Sequence, residues 1–157
     1  MADTPERLIV CYLPQYHPIP ENDQWWGKSF TEWTNVTKSR PLFRDHYQPH
    51  LPADLGFYDL RVPEVREAQA TLAREYGIHG FCYHHYWFHG SRLLHRPFEE
   101  VLASGRPDFS SCLWWANESW NRAWEGWRRS HPPWERYIWR TELNDVVSRN
   151  RLIRCCG

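Results

Sequence analysis

Several things are scarce in this 157-residue chain. There is no basic excess: 19 Lys and Arg stand against 19 Asp and Glu. A nucleic-acid or anionic-membrane binder normally carries a surplus of positive charge, so both partner classes are set aside. No apolar run approaches the ~18 residues a membrane span needs. The first residues, Met1 to Arg7, include Asp3 and Glu6 and no apolar core of a leader, so no secretory signal is legible and a cytoplasmic location is expected. No CxxC spacing occurs among the five cysteines, which argues against a disulfide framework or a zinc site. The phosphate-cradling patterns GxGxxG and GxxxxGK[ST] are missing, as is the GxSxG nucleophile elbow.

What is abundant is aromatic. The chain holds 11 Trp, 8 Tyr, 7 Phe and 9 His, too many rings for one small core, so some must line a cleft or a surface. Charge divides unevenly along the chain. Residues 1–127 have 12 basic and 16 acidic side chains, whereas 128–157 have 7 Arg and 3 acids. The boundary predicts two regions, 1–127 and an atypical basic tail over 128–157 that is either a helix after a loop, poorly ordered, or out of frame.

Leu8 to Leu13 is a continuous apolar run bounded by Pro14 and reads as a buried strand. Residues 14–58 show no sustained period and read as a long connection. Val65, Ala68, Leu72, Ala73 and Tyr76 follow a helical period, with Asp59 or Leu60 opening the helix, Pro63 in its first turn and Gly77 at its end. Gly80 to Trp87 reads as a second strand. A second helix begins near Pro97, buries Phe98, Val101 and Leu102, and stops at Ser104-Gly105. Phe109 to Ala116 reads as a third strand. Strand–helix–strand–helix–strand implies a parallel sheet whose carboxyl ends share one edge, the usual place for a ligand.

The residues that follow those strands are Trp and Tyr plates interleaved with Asn, Gln, His and Glu. A sugar offers an apolar C–H face that stacks on a ring and hydroxyls that pair with amides and carboxylates. A carbohydrate partner is therefore expected, with no cofactor and no metal. His84 and His85 would point to opposite faces of a straight strand and could not share an ion. Glu118 reads either as a group acting on the sugar or as one that orients Asn117 or Arg122. Glu32 reads either as a sugar contact or as an ordinary loop carboxylate that caps a short helix at Thr31.

Three stretches, YLPQYHPIPENDQWWGKSFTEWTNVTKSRPLFRDHYQPHLPADLGFYDLR, YGIHGFCYHHYWFHG and LWWANESWNRAW, resemble the WbsX-type glycosyltransferases, also described as glycoside hydrolase family 99-like. The resemblance spans roughly residues 7–127. It implies the N-terminal portion of a (β/α)8 TIM-like barrel, a role in polysaccharide or lipopolysaccharide metabolism, and a chain that ends before the family's later acidic segment and is inactive alone. Glu118 and Glu32 are the expected catalytic pair. Gln15, His17, Trp26, Trp33, Asn35, Tyr47, His50, His85, Tyr86, Trp87, Asn117 and Trp120 are the expected sugar contacts. A non-catalytic sugar-binding module is the other reading.

Overall fold

The structure is a computed structural model that describes residues 6–88 and 91–115. The tail beyond Trp115, including Asn117, Glu118 and Trp120, lies outside the described residues.

Strand β1 (Ile9–Tyr12) comes first, followed by two short helices, α1 (Pro20–Trp26) and α2 (Glu32–Lys38). Helix α3 (Pro63–Glu75) leads to β2 (Gly80–His84), and a small antiparallel hairpin is formed by β3 (Tyr86–Phe88) and β4 (Ser91–Leu93). Helix α4 (Arg96–Ser104) then leads to β5 (Ser110–Trp114). The main sheet is parallel in the order β1-β2-β5. The expected α/β class with a three-stranded parallel sheet is therefore present.

Alternation along the strands sorts the two faces. Val10 and Tyr12, Phe81 and Tyr83, and Leu113 pack with Ala70 and Ala73 of α3 and Phe98 and Leu102 of α4. Both helices thus cover one face of the sheet, while the strand order steps in one direction. The opposite face carries Cys11, Cys82 and Cys112 at matched register positions, which run from exposed through half-buried to buried. These cysteines are thiols, consistent with their place as small apolar residues in strands.

Close approach fixes part of the register. A Cβ at Gly80 would sit 2.7 Å from the carbonyl oxygen of Ser110 on β5, so only glycine fits there. The end of α4 has a second glycine requirement. Gly105 adopts φ 67° and donates its N–H to the Val101 carbonyl at 2.9 Å, closing the helix as expected.

Three expectations are corrected by the geometry. The long 14–58 connection contains α1 and α2, each only seven residues. Such short segments present too few turns for a period to show. The strand read as Gly80–Trp87 breaks at His85, whose N–H bonds the Trp114 carbonyl at 2.7 Å while the chain turns into the hairpin. Helix α3 starts at Pro63 rather than near Asp59, and its inner face is Arg66, Ala70 and Ala73, while Tyr76 is largely exposed.

The cause of that last shift is a buried cation. The Arg66 guanidinium is only 4% exposed; it donates to the Leu60 carbonyl at 2.5 Å and pairs with Glu100 of α4 at 2.8 Å. Glu100 also binds Arg96 at 2.6 Å. These bonds satisfy a charge that burial would otherwise heavily penalise, and they join both helices to the segment entering α3.

A candidate functional site at the carboxyl edge of the sheet

The chain leaving β1 passes Pro14, Gln15, Tyr16 and His17. Its backbone is held by two long-range hydrogen bonds: the Glu32 N–H donates to the Gln15 carbonyl at 3.2 Å, and the Leu60 N–H donates to the Tyr16 carbonyl at 3.1 Å. The first bond brings the start of α2 to the end of β1. Glu32 and Asn35 are one helical turn apart, and the Asn35 amide donates to the Glu32 carboxylate at 3.2 Å. A short helix does follow Thr31, but Glu32 is its first residue rather than a loop carboxylate, and no side chain caps it.

Trp33 forms the aromatic centre. Its ring centroid lies 4.5 Å from Tyr16, 5.0 Å from Tyr58 and 5.2 Å from Phe57. Its indole N–H donates to the Tyr58 carbonyl at 2.8 Å. Tyr16 and Tyr58 are themselves 5.4 Å apart. From the end of β2 come His84 and Tyr86, 4.2 Å apart, with Trp114 of β5 edge-on to His84 at 4.7 Å. Trp26 packs on Phe30, and Trp87 lies 6.1 Å from His85.

Protonation states follow from burial. Burial, with the Glu32 carboxylate second, raises the Tyr16 phenol above its ordinary value. Tyr86 is raised by burial first and then by Glu32 and Tyr16, which places both phenols in the electrostatic reach of one carboxylate. Burial pushes Tyr58 up to about 12. His84 is lowered by burial; His85 is lowered by burial, then by the Arg92, His84 and His95 charges. At neutral pH the cluster therefore offers neutral phenols and neutral imidazoles beside Glu32. Such groups donate and accept hydrogen bonds to hydroxyls, and the indole supplies a flat apolar surface.

Of the expected contacts, Gln15, Glu32, Trp33, Asn35 and Tyr86 are brought into one neighbourhood by these bonds and shared charge effects. His17 is only 1% exposed, with both ring nitrogens buried. Tyr47 and His50 form an edge-on ring pair on an exposed stretch, with Tyr47 largely in solvent. Tyr16, Tyr58 and His84 join the cluster without having been singled out. Tyr16 was readable from its place between Gln15 and His17, whereas Tyr58 and His84 become neighbours only through the fold. Among the described residues, no group of three or more His, Cys, Asp or Glu is arranged to hold a metal ion. No helix among them is long and apolar enough to cross a membrane.

Comparison with known proteins agrees with this chemistry. The sequence profile described as Glycosyltransferase WbsX matches residues 8–137. Two curated relatives, both called "Uncharacterized protein WxcX", come from Xanthomonas campestris pv. campestris strains B100 and ATCC 33913. Each is 56% identical over 122 residues, covering 78% of this chain and 18% of the relative. The chain thus spans less than a fifth of the length of the curated relatives it matches. No solved structure matches it significantly. With most of its length matched by the family profile, the chain belongs to the glycosyltransferase WbsX family.

Proposed function

We propose that this domain binds a carbohydrate at the carboxyl edge of its sheet, as part of a protein that makes or breaks glycosidic bonds in polysaccharide or lipopolysaccharide metabolism. The observation that carries the reading is the convergence of Glu32, Asn35, Trp33, Tyr16 and Tyr86 from three separate segments onto one neighbourhood. Trp33 stacks on a pyranose face, and Glu32 with Asn35 accepts and donates to its hydroxyls. The family's printed description supports a saccharide substrate.

A parallel sheet wound in one direction, with its crossover helices on one face, fits a barrel sector as it fits one half of a doubly wound sheet, and the family resemblance favours the barrel. We therefore read the domain as part of a (β/α) barrel whose carboxyl rim carries the site. Glycosidic chemistry generally uses two carboxylates flanking the scissile bond. Glu32 is one, and Glu118 is the proposed second. The reading of a sugar-binding module without turnover rests on Glu32 serving as a hydroxyl ligand only.

The test is calorimetric titration of the purified chain with a panel of α- and β-linked hexose disaccharides. Trp33→Ala should weaken the best binder by about three- to tenfold, the worth of one well-stacked ring. Glu32→Gln should also weaken it. Equal affinity in the parent and both variants would remove the site. In the full-length relative, Glu32→Gln that halts turnover but preserves binding makes Glu32 catalytic, whereas unchanged turnover makes it a ligand.

A further inference from the structure

Of the four rings in the Trp33 cluster, Phe57 is the one that faces water. Trp33, Tyr16 and Tyr58 are half-buried, whereas Phe57 is 58% exposed. A single exposed phenyl ring means little by itself. This one is pinned beside the indole. Phe57 is the apex of a three-residue turn in which the Tyr58 N–H donates to the Gly56 carbonyl at 3.0 Å. The carbonyl of the next residue, Tyr58, accepts the Trp33 indole N–H at 2.8 Å. The turn that carries Phe57 is thus tied to the indole one residue away. The Phe57 and Trp33 ring centroids lie 5.2 Å apart, with their planes at 78°.

Two rings set almost at right angles cannot both stack on one sugar. The broad C–H faces of a pyranose chair are parallel, so a sugar lying flat on the indole turns its rim to the phenyl ring. That rim carries hydroxyls, and a phenyl side chain has no donor or lone pair to satisfy them. The group that suits a second ring is the C–H face of a neighbouring sugar, turned by its glycosidic linkage. We infer that Phe57 is a specificity-determining residue that takes the second of two linked sugars, the first lying on Trp33. The ligand class is then an oligosaccharide kinked at that linkage rather than a flat ribbon. The inference rests on the proposed reading of Trp33 as a saccharide wall and adds length and shape to it.

The test uses the 157-residue chain and the same panel of α- and β-linked hexose disaccharides. The best binder should be a kinked disaccharide. Saturation of the aromatic protons, read by NMR, should pass to the C–H protons of both its sugar units. Phe57→Ala and Phe57→Leu should lose the transfer to one unit and weaken that disaccharide by about three- to tenfold, the worth of one stacked ring. Phe57→Tyr keeps the ring and should bind as the parent does. The side chain is largely in solvent, so all three variants should melt as the parent does. Unchanged affinity in Phe57→Ala overturns the inference. So does transfer that still marks both units without the ring, or a flat ribbon as the best binder. Binding that falls in Trp33→Ala but not in Phe57→Ala keeps the saccharide reading of Trp33 and refutes this inference alone. A parent that binds no disaccharide refutes both.

Discussion

Acid should loosen this domain through His17. The ring is 1% exposed, and the fully buried Pro14 and Leu60 belong to the same neighbouring segments. Burial lowers its pKa from 6.5 to about 4, with Arg61 and Arg96 pushing the same way and Asp59 and the Pro14 carbonyl opposing. In the unfolded chain the imidazole takes up its proton near pH 6.5; in the folded chain it does so only near pH 4. The unfolded state therefore binds more protons between those values. The stability this residue contributes is complete above pH 6.5 and is lost as pH falls through 4. The full shift corresponds to about 3 kcal/mol, with about 2 kcal/mol already gone at pH 5. Against a typical domain stability of roughly 5–15 kcal/mol that loss is large. Urea titrations followed by tryptophan fluorescence should show the midpoint falling by about 1 M between pH 7 and pH 5. His84 and His85 are lowered in the same direction, so the parent's slope is a sum. His17→Leu isolates the one residue, and its midpoint should fall markedly less over the same interval. An equal fall in parent and variant would refute the argument, because it would show that the buried His17 imidazole is not what acid attacks.

Other outcomes follow from the same geometry. Arg66→Met should destabilise by about 3 kcal/mol in thermal or chemical unfolding, since the Leu60 carbonyl loses its donor and α3 loses its tie to Glu100. Gly80→Ala should cost about 1–3 kcal/mol, because the approaching atom is a backbone carbonyl that cannot swing aside; unchanged stability would mean that β5 sits further from β2. Among the three sheet cysteines, thiol labelling of the folded chain should modify Cys11 first, Cys82 more slowly and Cys112 only on unfolding, as peptide mass spectrometry would record; early labelling of Cys112 would contradict the packing of β5.

The parts of the fold that were legible are those where one residue type has a single physical meaning. Pro97, Phe98, Val101 and Gly105 announce the bounds and buried face of α4, and the apolar run ending at Leu13 announces the place of β1 but not its burial, since Cys11, Leu8 and Leu13 are exposed. The face of α3 was not legible, because an arginine at position 66 reads as solvent-facing unless one knows that Glu100 and the Leu60 carbonyl will meet it. Seven-residue helices such as α1 and α2 are stabilised by what they pack on rather than by their own period, so α1 was read as loop and α2 appeared only as an option at Thr31. At the site, local spacing pairs Glu32 with Asn35, one helical turn apart. The meeting of Tyr16, Trp33 and Tyr58 depends on backbone bonds between residues tens of positions apart, which no local pattern encodes.

A missing methyl group governs the top of the sheet from its bottom. Since Gly80 alone tolerates the Ser110 carbonyl at its flank, sliding β5 along β2 would set a side chain against that oxygen, and the two strands have one alignment in which they zip. Four residues further along, that same alignment is what delivers the Trp114 indole edge to the His84 imidazole. The spacing of two rings at the rim is thus inherited from an atom the chain does without.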